Sequence, residues 1–526
     1  GGGVGRHYGV PPGLPIAPAA FLMLLAVLPT DDRAVHVLCH VIVGLAAFMG
    51  VAFGVYSALT ARECTRDINK GDDTNIVIRS RLVGQEFKRW EDEMMFAATP
   101  PYVCGMYLYS HAVTYRGRRG RLLVIMFLDV KKALWQAEAT ELIFIELPEE
   151  AIEDAEADEV GEMQMSLYGT RSAARNWAAK YTAVFIEIGF VQGEASPCNF
   201  YNPEKDVRAS IHGDDIKLVG EEEDVLSVEK NLQVRWTQTR KALLGPEGHH
   251  DKTVLNLHRI VTWTEEGIEI EGDPRHPELI IIEAGMGKSK GVDTPGVKER
   301  QIEKGDDEKL SKAEATSYRG ITMRANYYCQ NRLEAKFAVK ECAREMKDPT
   351  VGSKKALKRM ARYFQKHKRV VQKIRYQGAA NDESEVTTVK GEGDTNHADG
   401  KKTRKSTSGG VGFHGKNALT HWSATQAEPA LSSGESEYKG ALKTAAEMMF
   451  IRTMINKDFA NDKITETIVG IDSSAAKAIA GRIGLGKLKH LDTRYLWLQA
   501  MVRQRRIRLM KLDGKENTGD LLTKHL

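Results

Sequence analysis

The segment Val207-Arg-Ala-Ser-Ile-His-Gly-Asp-Asp-Ile-Lys-Leu218 alternates apolar and polar residues on both sides of a Gly-Asp turn. That pattern specifies a β-hairpin with Asp214 and Asp215 at its tip. Two adjacent carboxylates on a tight turn repel each other unless a cation or solvent screens them. Upstream, Leu122-Leu-Val-Ile-Met-Phe-Leu128 is an apolar run of strand length that ends at Asp129. A carboxylate at the C-terminal end of a buried strand is where open sheets put chemistry. With Asp129 beside the hairpin tip, the three acids would form an all-oxygen cluster suited to Mg²⁺. A lone Gly-Asp-Asp is more often a surface turn, so the weight lies on the combination with Asp129.

The chain has 526 residues, enough for about three or four domains. Lys and Arg number 75 against 71 Asp and Glu, a net charge of +4, so this is no polycation and the total names no partner. Hydrophobic residues at 42% with 28% charged exclude general disorder and a polytopic membrane protein. The six cysteines are dispersed without a Cys-x-x-Cys pair, which reads as free thiols in a reducing compartment, not a zinc site or disulfide framework.

The apolar excess lies before residue 60. Residues 34–59 carry no Asp, Glu, Lys or Arg, longer than the ~20 residues that cross a bilayer as a helix. Transmembrane helix 34–59 is the direct reading, with a helical hairpin as a variant because a weaker run, Ile16 to Leu28, precedes it. Arg62, Arg66 and Lys70 would then leave the rest of the chain in the cytosol. The alternative is a hydrophobic leader fused to an unrelated soluble body.

The last 136 residues repeat the logic of separated carboxylates. Asp394 precedes the strand-like Gly410-Val-Gly-Phe-His414, Ser432-Ser-Gly-Glu435 has capping-box spacing at the head of a helix with Glu437 in its first turn, Ile468-Val-Gly-Ile471 ends at Asp472, and Asp520 opens a final Leu-Leu-Thr-Lys. Strand, hairpin, helix, strand, helix makes a mixed α/β domain. Between the two acidic constellations, Lys354 to Arg375 holds ten Lys or Arg and no acid at helical spacing, with Leu357, Ala361, Phe364 and Val371 as the buried stripe. Lys354, Lys355, Lys358, Arg359, Arg362 and Lys366 are its candidate nucleic-acid contacts, against the plainer reading of a solvated face. His249 and His250 have no matching ligands in sequence and read as loop residues.

Taken together the motifs resemble those of copia-type long-terminal-repeat retrotransposon Pol polyproteins. Leu128-Asp-Val-Lys-Lys-Ala-Leu134 is similar to the family's first-aspartate motif, Ser166-Leu-Tyr-Gly169 to its Ser-Leu-Tyr-Gly box, and Arg79-Ser-Arg-Leu-Val83 to its fingers, where Arg79 and Arg81 would meet the incoming triphosphate. Lys405-Ser-Thr-Ser-Gly409, Leu431-Ser-Ser-Gly-Glu-Ser-Glu-Tyr438, Asp472-Ser-Ser-Ala475, Lys489-His-Leu-Asp-Thr-Arg-Tyr495 and Asp520-Leu-Leu-Thr-Lys524 follow in the order of its ribonuclease H region.

The resemblance covers about residues 62–526. It implies α/β and α+β multidomain architecture: a right-hand polymerase with fingers and palm at 62–240 and thumb or connection at 241–390, then a ribonuclease H-like mixed-sheet domain at 391–526, behind the hydrophobic segment 1–61. The implied function is RNA-directed DNA synthesis coupled to cleavage of the RNA strand of a hybrid. Asp129, Asp214 and Asp215 would hold two Mg²⁺ ions at one site, and Asp394, Glu437, Asp472 and Asp520 two at the other, with Mn²⁺ as a substitute. The implied partners are an RNA template, a DNA primer, an RNA–DNA hybrid and deoxynucleoside triphosphates, in cytoplasm or nucleus, plus a membrane if 34–59 spans one.

Departures from the family pattern fall at His212, where it usually has Tyr, at Asn396 and His397, where it often has Asp and Trp, and at Leu134. Leu134 replaces the aromatic that gates against the ribonucleotide 2′-hydroxyl, so sugar discrimination lies outside what the resemblance implies. These departures motivate a second reading: a catalytically decayed relic that still grips nucleic acid through its basic helix.

Overall fold

A computed structural model describes residues 61–67, 78–86, 95–146, 160–298, 303–377, 386–400 and 402–526. The hydrophobic run 34–59 lies outside the described residues, as does most of the acidic run 149–162. Among the described residues no helix is long and apolar enough to cross a membrane. The chain divides into two compact units, Gly1–Glu93 with Ala137–Asn176, and Met94–Gln136 with Trp177–Leu526.

In chain order the first elements are β1 (Ala61–Asp67), β2 (Ile78–Gly84), α1 (Tyr102–Thr114), β3 (Val124–Val130), β4 (Phe144–Glu146) and β5 (Val160–Glu162). Within the first unit β1 pairs antiparallel with β2, and β4 with β5. The Gly84 amide donates to the Tyr168 carbonyl at 2.8 Å. This close approach explains Gly169 of the Ser-Leu-Tyr-Gly box, whose φ is +92° and where a Cβ would meet the Gly84 carbonyl oxygen at 2.0 Å.

Helix α2 (Ala173–Glu187) leads to β6 (Val191–Gln192), β7 (Asn199–Asn202), β8 (Val207–His212), β9 (Asp215–Gly220), α3 (Glu222–Gln233) and β10 (Gln238–Leu244). A six-stranded antiparallel sheet of order β10-β3-β9-β8-β7-β6 results. β3 is apolar on both faces because it is central: Val124 to Leu128 are all buried, and Leu123, Ile125 and Phe127 join the core formed with α1. Between Arg240 and Ala242 the register of β10 shifts, which makes Lys241 an inserted residue. Such a bulge re-aims the side chain it carries.

A second sheet, antiparallel throughout, follows: β11 (Thr253–Asn256), β12 (Arg259–Thr264), β13 (Gly267–Gly272) and, later in the chain, β14 (Gln372–Arg375). The β11–β12 turn puts Leu257 and His258 at φ of 47° and 55°, conformations that two-residue hairpins ordinarily assign to Asn-Gly. The turn is held by the Tyr327 hydroxyl, which donates to the Leu257 carbonyl at 2.5 Å. Helices α4 (Arg275–Glu283), α5 (Lys312–Tyr328), α6 (Leu333–Arg344) and α7 (Val351–Lys366) pack around Ile321, Ala325, Val339, Leu357, Met360 and Phe364. α5 opens with a Ser311–Glu314 capping box and α7 with Thr350–Ser353.

The expected basic helix over 354–375 therefore ends early. Leu357, Ala361 and Phe364 form the buried stripe, but Val371 lies beyond the helix, and Gln372–Arg375 is strand β14, where Ile374 pairs with Ile268 and is fully buried. The local charge pattern is uniform across this stretch. The β-branched Val370, Val371 and Ile374 favour the strand, and an open edge of β13 accepts it.

The last region contains β15 (Thr388–Asn396), β16 (Thr407–His414), β17 (Asn417–Thr425), α8 (Ser433–Thr453), β18 (Glu466–Ile471), α9 (Ser474–Gly481), α10 (Trp497–Arg503) and β19 (Arg508–Lys511). Its sheet, of order β17-β16-β15-β18-β19, is mixed: β15 to β17 run antiparallel, whereas β15–β18 and β18–β19 are parallel. α8 packs on it through Ala441, Ala445 and Met448. The architecture as a whole is mixed α/β, as the sequence leads one to expect.

One apolar core runs from α1 of the six-stranded sheet into this mixed sheet. Tyr107 stacks on Phe459 with centroids 5.4 Å apart, and its hydroxyl accepts from the Asn461 amide at 2.9 Å. Asp458, 1% exposed, accepts from the Ala195 amide at 2.8 Å, the Ser196 amide at 3.0 Å and the Asn199 side chain at 3.0 Å. Asp458→Ala is expected to leave these donors unpaired at roughly 1–3 kcal/mol each and to lower the melting temperature by several degrees, read by calorimetry. Asp458→Asn retains an acceptor oxygen and should lose less.

Candidate active sites

The first cluster stands at one end of the six-stranded sheet. Asp129 is the penultimate residue of β3 and pairs in register with Asp215, the first of β9, so both side chains share a face. The turn between β8 and β9 depends on Gly213 at φ +64°, whose carbonyl accepts from the Trp177 indole at 2.8 Å. The Val130 amide donates to the Asp214 carbonyl at 2.9 Å, tying the turn to β3. Lys241, aimed by the bulge in β10, places Nζ 2.7 Å from Asp129 Oδ1 and 2.7 Å from Asp215 Oδ1.

Charge explains the arrangement. Burial works against the Lys241 ammonium, but hydrogen bonds to Asp129 and Asp215 outweigh it and hold its pKa above the ordinary value. Asp214 is raised above the usual carboxylate range by burial first, with Asp215 and Asp129 adding repulsion. The two oxygens flanking Lys241 thus form a cation site, and an incoming divalent ion would compete with the ammonium for them. The three aspartates are not among the described sets whose ligand atoms all lie within 4.8 Å of one another; Asp129 and Asp215 are bridged by Lys241.

The second cluster is tighter. Asp394 on β15, Glu437 on α8 and Asp472 just after β18 bring one oxygen each within 4.8 Å of the others. The parallel β15–β18 pairing, Gly393 opposite Ile471, is what sets Asp394 beside Asp472. The Ser432 hydroxyl caps α8 by accepting from the Glu435 amide at 3.2 Å, and this fixes the first turn that carries Glu437. Burial, then repulsion from Asp394 and Asp472, pushes Glu437 up to about 8. Asp394 is also raised, chiefly by burial, although the Thr523 hydroxyl donates to it. Three carboxyls that cannot all ionise together are the donor set a hard divalent cation fits.

Asp520, expected as a fourth member, is not in that set. Its carboxylate pairs with Lys524 one helical turn on, at 2.5 Å, in the turn Thr518–Leu522. Asp520 still acts on the cluster through space, being one of the charges that raise Asp394.

Comparison with known proteins bears on the first cluster directly. Residues 68–246, which include Asp129, Asp214 and Asp215, match the family described as Reverse transcriptase (RNA-dependent DNA polymerase). Similar proteins include the Retrovirus-related Pol polyprotein from transposon TNT 1-94 of Nicotiana tabacum, 24% identical over 420 residues that cover 76% of this chain and 29% of the relative. The corresponding polyprotein from transposon RE1 of Arabidopsis thaliana is 22% identical over 406 residues, 76% of this chain and 26% of the relative. The chain resembles copia-type Pol polyproteins. It spans under a third of the length of these relatives. Among solved structures, a foamy viral protease-reverse transcriptase in complex with RNA/DNA hybrid is 11% identical at a TM-score of 0.45, covering 87% of this chain and 50% of that one, too weak a likeness to carry an argument.

The other sequence-derived residues are placed as follows. Arg79 and Arg81 lie on β2, but their side chains are outside what is described. Leu134 is half-buried in the short turn Ala133–Gln136 that follows β3. Half of the basic residues of α7 are paired with carboxylates: Lys354 pairs with Glu314 at 2.7 Å, Lys355 with Glu303 and, at 2.9 Å, with Asp306, and Lys366 with Asp293. Arg359 donates to the Thr294 hydroxyl at 2.9 Å and Arg362 to the Lys290 carbonyl at 2.7 Å. Lys358 has no such partner among the described residues and lines a groove with Lys290, Arg359 and Arg362. Lys358→Ala is therefore expected to flatten the log–log salt dependence of nucleic-acid binding by about one unit, and Lys354→Ala with Lys355→Ala to change it little, as read by titration across salt concentrations.

His249 and His250, expected as unpartnered loop residues, both reach Glu222 in the first turn of α3, each with Nε2 at 3.2 Å from Oε2. His250 Nδ1 accepts from the Glu247 amide at 3.0 Å, so its Nε2 carries the proton and donates to Glu222. The trio is a hydrogen-bonded cluster whose ligand atoms also lie within 4.8 Å of one another, as a metal-holding set requires. His490 likewise binds Glu435, at 2.9 Å. Lys241 is the site residue that sequence reading missed, because a bulge leaves no signature in Gln-Thr-Arg-Lys-Ala-Leu-Leu.

Proposed function

We propose that this chain is the part of a copia-type Pol polyprotein that performs RNA-directed DNA synthesis and cleaves the RNA strand of the resulting hybrid. The observation that carries the proposal is the register pair Asp129–Asp215, bridged by the Lys241 ammonium, inside the segment matched to the reverse transcriptase family. In this reading residues 62–240 serve as fingers and palm, 241–390 as thumb or connection, and 391–526 as the nuclease.

Asp129, Asp214 and Asp215 would hold a divalent metal at the polymerase site, and Asp394, Glu437 and Asp472 at the nuclease site. Bound Mg²⁺, or Mn²⁺ in its place, supplies Lewis acidity toward phosphate and lowers the pKa of the attacking hydroxyl or water. The protein's own part is to fix the carboxylates on strand ends and one helix turn, so that little reorganisation is needed when charge develops. Lys241 keeps Asp129 and Asp215 together against their mutual repulsion until the metal arrives. At the nuclease site Glu437 holds a proton at neutral pH that it must give up to become a ligand.

The partners in this reading are an RNA template with a DNA primer, deoxynucleoside triphosphates, and an RNA–DNA hybrid. Primer extension on an RNA template by the full chain tests it, and absence of metal-dependent incorporation would reject the polymerase assignment. The relic reading, in which the basic helix alone grips nucleic acid, is weakened because Lys354, Lys355 and Lys366 are engaged by carboxylates of the same chain.

A further inference from the structure

At the far end of the six-stranded sheet from Asp129 and Asp215, two consecutive histidines meet a carboxylate from another element. Gly220 of β9 pairs with Val124 and Leu244 of β10 with Ile125, both at the start of β3, whereas Asp129 lies near its end, about 17 Å of strand away. Glu222 opens α3 just after β9, and His249 and His250 come from the loop between β10 and β11. His249 Nε2 stands 3.2 Å from both Glu222 carboxylate oxygens, and His250 Nε2 stands 3.2 Å from Oε2. One ligand atom from each of the three lies within 4.8 Å of the others. The adjacent acids are engaged elsewhere, Glu221 by Arg119 and Glu223 by Arg121, which leaves Glu222 to the imidazoles.

The loop holds the histidine pair in place. Lys252 Nζ donates to the carbonyls of Gly245, Pro246 and Glu247 at 2.8, 3.0 and 2.7 Å, and the Asp251 carboxylate accepts from the Leu243 amide at 2.8 Å. Gly245 leaves room for the His250 ring, since a Cβ there would meet Nδ1 at 2.4 Å. The His250 side chain is 2% exposed and that of His249 62%, so the cluster is walled by protein on one side and open to water on the other. The 3.2 Å nitrogen–oxygen separations are close to the edge, roughly 3.3 Å, of a tetrahedron with zinc bonds of about 2.0–2.1 Å.

We infer that Glu222, His249 and His250 bind one Zn²⁺ ion, with water as the fourth ligand, and so clamp the start of α3 to the β10–β11 loop. Two imidazoles and a carboxylate are a zinc donor set, and imidazole discriminates against Mg²⁺, which takes oxygen ligands. In the metal-free chain His250 carries its proton on Nε2, where the ion would sit, because Nδ1 accepts from the Glu247 amide at 3.0 Å. Coordination moves that proton to Nδ1 and turns the Glu247 amide away. Glu247 and Gly248 are exposed, so the freed amide is met by water. The exchange costs one hydrogen bond and gains the metal bonds, which are the stronger.

The test is calorimetric titration of Zn²⁺ into the full chain in excess Mg²⁺, which occupies oxygen sites and competes poorly for imidazole. The expected result is one Zn²⁺ per chain with a Kd of about 1 μM or tighter. His249→Ala should weaken binding at least about hundredfold. Because that side chain is exposed, the metal-free melting temperature should stay within about two degrees of the unaltered chain. Co²⁺ in place of Zn²⁺ should give the intense visible absorption of a four-coordinate ion, and Glu222→Gln should remove it. A chain carrying Asp214→Asn, Asp215→Asn and Asp394→Asn should bind Zn²⁺ as the unaltered chain does, which separates this site from the two proposed active sites. Absence of saturable Zn²⁺ binding, undiminished binding by His249→Ala, or loss of binding in the triple variant would each overturn the inference. The titration and the Co²⁺ spectrum use the unaltered protein, so they decide even where a variant fails to fold, and no outcome depends on polymerase activity.

Discussion

Replacing Asp214 and Asp215 together by asparagine is expected to reduce metal-dependent primer extension on an RNA template by on the order of a thousandfold or more, about 4 kcal/mol of transition-state stabilisation. The substitution keeps shape and hydrogen-bonding capacity at the β8–β9 turn, where the backbone is held by Trp177 and by the amide of Val130. What it removes is charge. The asparagine oxygens can neither neutralise a divalent ion nor hold Lys241 against Asp129 with the present strength. The fold should survive, because Asp214 and Asp215 sit at the strand end outside the core of Ile125, Phe127 and Val219. The control is an unchanged unfolding midpoint. Extension by the variant at the wild-type rate would show that the carboxylates do not carry the reaction.

The cluster of Asp394, Glu437 and Asp472 predicts, under the proposed function, an effect of similar size with a pH signature. Asp394→Asn should lower cleavage of a labelled RNA–DNA hybrid by about a thousandfold, since it removes a ligand that the β15–β18 pairing brings beside Asp472. Glu437, at about 8, retains its proton at neutral pH, and metal binding must displace it. Apparent metal affinity should therefore rise about tenfold per pH unit up to about 8 and level off above, one proton being released per ion bound. Glu437→Gln should abolish that slope.

The same shift has a consequence for stability without metal. A carboxyl whose folded pKa lies above its unfolded value binds its proton more tightly in the folded state. Its stabilising contribution is complete below the unfolded value of 4.5 and is lost as pH rises toward about 8. The metal-free chain should lose stability across that window, and saturating metal should suppress the loss. Thermal unfolding with and without Mg²⁺ reads both, and a flat metal-free profile would contradict the placement of Glu437 against Asp394 and Asp472.

What the sequence by itself determined is the part of the molecule written in short-range patterns. Alternation around Gly213 predicts the β8–β9 hairpin, the apolar run ending at Asp129 predicts a central strand, and Ser432-Ser-Gly-Glu435 predicts the start of α8. Each depends on backbone preferences of neighbouring residues, which act whatever the rest of the chain does. Asp129, Asp214 and Asp472 were nameable because they stand at the ends of such elements, and Glu437 because it follows the cap of α8.

Only the tertiary structure decided which charges meet. Lys241 reaches Asp129 and Asp215 through a bulge, Asp520 turns to Lys524, and the lysines of α7 find Glu303, Asp306, Glu314 and Asp293, forty or more residues away. The stretch from Lys368 to Arg375 leaves the helix because β13 offers it an edge. Coulomb energy depends on distance in space and on the dielectric around each group, and chain position encodes neither.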